Sequence, residues 1–182
     1  MLQIVVPASC ELYDEKTNTF FTVKEQTLQL EHSLVSLSKW ESKWGKPFLS
    51  KNKQLSHEEI IDYIKCMTLT QHVKPEVYQV LTQANIDAIT EYIDKPMTAT
   101  TFSKDRNGPI NREIVTSELI YYWMIALNIP FECQKWHLNR LLTLIRVCNI
   151  KNQPPKKMGT KALMSRNAAL NAARRKQLNT TG

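Results

Sequence analysis

Catalysis and metal binding draw on histidines, cysteines and carboxylates, and in this chain their spacing favours neither. The four histidines, His32, His57, His72 and His137, form no HxxxH pair, and the four cysteines, Cys10, Cys66, Cys133 and Cys148, form no CxxC pair. Zinc sites are built on such close pairs. Cys133 and His137, four residues apart on one predicted helix, put two ligand types on one face, but a metal needs at least one or two more. They read as ordinary helix residues. With four glycines in the whole chain, neither a GxxxxGK[ST] loop nor a GxGxxG turn can be written, which excludes nucleotide-cradling loops. There is no GxSxG elbow either. Glu58-Glu59 and Glu31 read as helix-start and solvated charges rather than as a catalytic carboxylate pair. The expectation is a protein that is not an enzyme and uses no cofactor and no metal.

Binding features are richer. Trp40 and Trp44 share one face of the stretch Leu30 to Leu49, with Lys39, Glu41 and Lys43 on other sides. Core packing is the plainer reading of both rings and partner contact the sharper one, because large aromatics dominate cores and interfaces alike. Tyr121-Tyr122-Trp123 poses the same choice. A third feature is the charge of the C-terminus: from Lys151 to Gly182 there are eight basic residues, Arg174-Arg175-Lys176 among them, and no acidic one. The remaining 150 residues hold 16 basic and 17 acidic side chains, so a neutral body carries a cationic tail. That tail has no aromatic residue, so it offers no base stacking and leaves only phosphate contacts. The tail thus has three readings, nucleic acid, an acidic protein surface or simple solvation of a flexible end, of which nucleic acid is disfavoured and docking on a partner favoured.

The elements that must carry these residues follow from periodicity. Residues 2–6, 18–23 and 26–30 are rich in β-branched, aromatic and aliphatic residues between turn-like segments, which predicts a small N-terminal sheet or hairpin. Leu30, Leu34, Leu37, Trp40 and Trp44 then recur at helical spacing, ending at Gly45-Lys46-Pro47. Ser56 lies three residues before Glu59, a capping-box start for a helix through Ile60, Ile61, Ile64 and Met67. Residues 75–81 and 85–93 read as two short helices, the latter starting at Asn85. Residues 94–111 read as an exposed loop. Residues 113–128 and 133–149 are the strongest helices, separated by Pro130, and the first is apolar nearly all round, which makes it central or an interface. Gln153-Pro154-Pro155 ends the last of them near Asn152. Residues 161–178 then hold good helix formers with few large apolar side chains.

The predicted fold class is α+β, mainly α: an N-terminal β segment (1–30), a helical body (31–152) and a basic, separable helical tail (153–182). An apolar content of 42% is that of a globular chain with a core. The longest uncharged apolar run, Leu119 to Phe131, is too short for the roughly 20 residues of a membrane span. The N-terminus lacks the basic and long apolar regions of a secretory signal, so a cytosolic protein with reduced cysteines is expected.

Three long segments carry a family resemblance: LQLEHSLVSLSKWESKWGKPFL, then ELIYYWMIALNIPFECQKWHLNRLLTLIRVCNIKNQPPKKM, then SRNAALNAARRKQLNTTG, with MTATTF between the first two. In this order they resemble the tail assembly chaperones of long-tailed bacteriophages. The resemblance implies a coat for the long, helical, aggregation-prone tape measure protein, help in recruiting tail tube subunits, host cytoplasm as the place of action and absence from the finished virion. Self-association is left open, and no membrane is involved. The residues expected to meet a partner are Trp40, Trp44, Tyr121, Tyr122, Trp123, Trp136, Arg174, Arg175 and Lys176. The competing expectation is a virion structural or head-to-tail joining component whose basic tail contacts DNA or an acidic neighbour. A host-type nucleic-acid regulator is weaker, since no helix pair carries basic residues at a recognition-helix start.

Overall fold

Strict alternation sets the start of the chain. In the computed structural model, which describes residues 1–9, 12–14, 18–50, 55–102, 113–153 and 159–180, β1 (Leu2–Val6) buries Ile4 and Val6 while its other side chains stay wholly or partly exposed. Among the described residues three more strands follow: β2 is Leu12–Asp14, β3 is Thr19–Phe21 and β4 is Gln26–Leu30. β1 pairs antiparallel with β4, with Ile4 opposite Leu28 and Leu2 opposite Leu30, so the buried residues of both strands share one face. β2 and β3 form a separate two-stranded hairpin. The expected sheet is present as these two pairs.

Among the described residues six α-helices follow: α1 (Leu34–Trp44), α2 (His57–Met67), α3 (Gln83–Asp94), α4 (Ser117–Ala126), α5 (Leu138–Asn152) and α6 (Thr160–Leu178), with 3-10 turns at Pro75–Val80 and Phe131–Lys135. The chain is therefore α+β and mainly α. No helix among these residues is long and apolar enough to cross a membrane. Two compact units divide the chain, Met1–Asn149 and Ile150–Gly182, so the β segment belongs with the helical body and α6 lies in the second unit.

Local chemistry explains most of the boundaries. Ser33 caps α1 with a reciprocal box in which Ser36 bonds back to the Ser33 amide, and Gly45 ends the helix at φ 59°, the left-handed geometry that glycine adopts without penalty. Leu30 is therefore a strand residue, not the first member of the helical stripe. Ser56 and Glu59 form the expected capping box on α2. At α3 the cap is Thr82; Asn85 is the reciprocal N3 partner and not the first residue, and its amide also donates to the Val5 carbonyl at 3.1 Å. The expected short helix at residues 75–81 is present as a 3-10 helix, Pro75–Val80.

Two expected helices are shortened. The stretch from Glu113 is not helical until Ser117, after Thr116, whose hydroxyl caps α4 and accepts from Leu119. Residues 133–137 are a 3-10 turn and a bridge, because the His32 carbonyl takes the Leu138 amide at 2.7 Å and His137 pairs with Ser33. Cys133 and His137 thus do not share an α-helix face as expected. Part of the expected 94–111 loop, residues 103–111, lies outside the described residues, as does Cys10; residues 95–102 carry no helix or strand. Cys66, Cys133 and Cys148 are free thiols.

The first unit holds two apolar clusters. Ile4, Val6, Leu28, Leu30, Trp40, Tyr63, Ile64, Met67, Ile89 and Tyr92 join the β1–β4 pair to α1, α2 and α3. Leu34, Leu37, Ile120, Met124, Leu138, Leu141 and Ile145 join α1 to α4 and α5. The stripe read as one face of α1 is split between them: Leu34 and Leu37 enter the second cluster, Trp40 and Trp44 the first.

Candidate functional site

α1 is tied down by its polar side chains as well as by its apolar ones. Glu41, almost fully buried, accepts the Phe48 amide on Oε1 at 2.9 Å and the Ser117 amide on Oε2 at 2.7 Å, joining α1 to the first turn of α4. A carboxylate at a helix N-terminus meets donors that have no partner within the helix. Trp40 is 0% exposed; its indole Nε1 donates to the Glu59 carbonyl at 3.0 Å, and its ring lies between Trp44, Phe48 and Tyr63. It has no surface to offer a partner, so the expected contact role of Trp40 gives way to core packing.

Trp44 is only partly buried. Its indole donates to Asp62 Oδ2 at 2.9 Å, and the ammonium groups of Lys43 and Lys46 stand 5.9 and 5.5 Å from its ring centroid. Lys43 pairs with Asp62 and Lys46 with Glu59, the latter at 2.6 Å. Burial alone would raise the Asp62 carboxyl, but hydrogen bonds from Lys43 and Trp44 outweigh it and hold the group below its ordinary range. The Lys46 bond, with that of the Ser56 amide, lowers Glu59. Two anchored lysines thus cover this indole.

One exposed aromatic surface, the pair Tyr13 and Phe20, lies on the β2–β3 hairpin, and another lies on α4 and the 3-10 turn after it. Tyr122 is 63% exposed, Ile125 62% and Phe131 53%. Tyr121 is half-buried, donates its hydroxyl to Gln134 Oε1 at 2.9 Å and holds its ring 6.5 Å from Phe131. Positions three and four apart on a helix are neighbours, so Tyr121, Tyr122 and Ile125 continue into Phe131 as one apolar strip. Beneath it Ile120 and Met124 are fully buried. Trp123 and Trp136 are partly buried against the second cluster, and the Arg140 guanidinium covers the Trp136 ring at 4.1 Å. Of the expected contact residues, Tyr121 and Tyr122 come together here. Trp40 and Trp44 belong to the other cluster, and Arg174, Arg175 and Lys176 to the exposed helix α6 of the second unit. Ile125 and Phe131 were missed by sequence reasoning; the i+3 step from Tyr122 to Ile125 was the available signal.

A buried polar group sits where the two clusters adjoin. His32 Nδ1 and the Tyr63 hydroxyl share a hydrogen bond at 2.6 Å, and the His32 and His137 rings meet edge to face at 5.1 Å. His137 Nε2 donates to the Tyr92 carbonyl at 3.0 Å and Nδ1 accepts the Asn139 amide, which defines a neutral imidazole. The Tyr92 hydroxyl donates to Glu31, whose carboxylate also pairs with the N-terminal amine of Met1. Burial, helped by His137, lowers His32 to about 3, and burial also lowers His137. These groups satisfy one another, and the arrangement is that of an interior polar joint. Among the described residues no three of His, Cys, Asp and Glu converge as a metal site. A cavity of about 490 Å³ opens between Phe21, Lys24, His72, Lys74, Glu76 and Val77, with both signs of charge on its wall. The chain matches no protein-family model, no curated protein and no solved structure.

Proposed function

We propose that this protein is a tail assembly chaperone of a long-tailed bacteriophage, which binds the tape measure protein, keeps it soluble and helps recruit tail tube subunits in the host cytoplasm before leaving the assembly. The carrying observation is the strip Tyr121, Tyr122, Ile125 and Phe131, side chains left wholly or partly open on α4 and the turn after it, over a helix face that is firmly packed. An exposed apolar strip on a rigid base is what an amphipathic client helix needs, and side chains of this kind tolerate many client sequences. The family resemblance of the long segments supplies the identity of the client. The role requires no catalysis, and none is assigned.

Co-expression tests it. The tape measure protein of the same phage is expected in the soluble fraction with this protein and in the pellet without it, and Tyr122→Ser with Ile125→Ser is expected to return it to the pellet while the chaperone itself folds. Equal solubility with and without the partner removes the reading. The second reading, a virion structural or head-to-tail joining component, is favoured by one observation, the cationic helix α6. Blotting purified virions separates the two, since the chaperone is expected to be absent from them.

A further inference from the structure

α6 runs for 19 residues from Thr160 to Leu178, and every one of its side chains that the structure describes is exposed. It carries Lys161, Arg166, Arg174, Arg175 and Lys176 and no acidic residue. At about 100° per residue these five side chains point, relative to Lys161, at roughly 0°, 140°, 220°, 320° and 60°, so no sector wider than about 100° lacks a cation. A helix lying on a flat acidic surface presents about a third of its circumference and would leave most of these charges unused. Nor is it built for a bilayer interface, because Arg174 falls among Leu163, Leu170 and Leu178 and interrupts the side on which they gather. The rest of the helix is slender, with five alanines, Ser165, Asn167 and Asn171.

We propose that α6 enters the major groove of double-stranded DNA and holds it through the phosphates on both walls. The B-form groove is wide enough for an α-helix, and its two phosphate rows flank an inserted helix, so side chains pointing to either wall find an anion on both sides at once. The lack of aromatic residues, which counts against single strands, is no obstacle here, because duplex contact needs no stacking. The sequence-based preference for an acidic protein partner is replaced by duplex DNA on the ground of this distribution of charge around the helix.

The test is a titration of the full chain against a fluorescently labelled 20-base-pair duplex between 50 and 200 mM salt. If all five cations reach phosphates, affinity is expected to fall about 500-fold over that range, and Arg174→Gln, Arg175→Gln and Lys176→Gln together should reduce the fall to roughly 10-fold. Ala169→Pro keeps every charge but breaks the helix, and it is expected to cost at least 10-fold in affinity at 100 mM salt. Unchanged binding by the proline variant overturns groove insertion, because simple charge attraction does not need a helix. Equal affinity for single-stranded DNA of the same length overturns it too, as does tighter binding to polyglutamate than to the duplex. Failure of all three ligands to bind removes any anion-binding role for α6.

Discussion

α1 and α6 are helices of opposite design within one chain. α1 has 11 residues and buries five of them, Glu41 included, whereas α6 has 19 and none of its described side chains is withdrawn from solvent. The shorter helix is held by what it packs against, and the longer one by intrinsic preference, with alanines inside, an Asn179 C-cap in the left-handed conformation and basic residues in its last turn. The helicity of an isolated helix depends on its length and on temperature, so α6 should form and melt on its own local balance. Substitution should therefore unfold the molecule through α1 and leave the fold alone through α6.

Trp40→Ala carries the largest expected effect, a loss of about 3–5 kcal/mol, since it empties the space between Trp44, Phe48 and Tyr63 and also frees the Glu59 carbonyl. Leu170→Ala on α6 should stay within about 0.5 kcal/mol. Urea unfolding of the two variants measures the contrast, and similar losses would mean that α6 is packed after all. Glu41→Ala comes next, at about 2–4 kcal/mol, because it strands the buried amide of Ser117 and the part-buried amide of Phe48. Glu41→Gln should recover part of that loss, an amide oxygen being able to accept one of the two bonds. Full recovery would show that the charge contributes nothing.

Acid sharpens the same comparison, since the buried imidazoles belong to the first unit alone. His32 stays neutral in the folded protein down to about pH 3 but takes a proton near 6.5 when unfolded. The unfolded chain therefore binds more protons at mildly acid pH, and the stability that neutral His32 confers is complete above about 6.5 and declines as pH falls towards 3. Roughly 2 kcal/mol should be gone by pH 5, with His137 acting in the same direction. The groups facing the pair are the Tyr63 and Tyr92 hydroxyls, Glu31 and the Met1 amine. The lowered carboxyls of Asp62 and Glu59 act in a more acid window. Urea midpoints at pH 7, 6 and 5 read the slope, and a flat profile would contradict neutral burial of His32.

How far these features could be read without a structure differs between elements. The alternation in residues 2–6 and 26–30, the Gly45 stop and the Ser56 capping box depend on neighbours in sequence, and they were legible. The start of α4 and the break before α5 depend on groups far along the chain. Glu41 takes the Ser117 amide and His32 takes the Leu138 amide, and neither long-range bond could be read from its neighbours in sequence, although Thr116 locally caps α4. The strip shows the same divide. Tyr121 and Tyr122 stood out as aromatics, but Ile125 reads as one apolar residue among many, and Phe131 reaches the strip only because a 3-10 turn follows α4. The core position of Trp40 was the plainer of two open readings, and only the depth of its burial decides between them.

The smallest expected effect is the one that most directly tests the division into two units. A chain ending at Gln153 loses α6 and, with residues 154–182, seven of the 24 basic residues and no acidic one, so its formal net charge falls from +7 to 0, yet it loses none of the residues in either apolar cluster. If α6 folds on its own local balance, the truncated protein should melt within about 2 °C of the full chain and with undiminished cooperativity, because the surface buried in the melting unit is unchanged. Circular dichroism at 222 nm should weaken at low temperature by the share of one 19-residue helix and show the same transition on heating. In the full chain that extra helical signal should fade gradually, ahead of the main transition, as an isolated helix frays. A fall of 5 °C or more on truncation, or a helical signal from α6 that vanishes in step with the body, would mean that α6 draws stability from packing as α1 does, and the contrast between the two helices would then be one of degree.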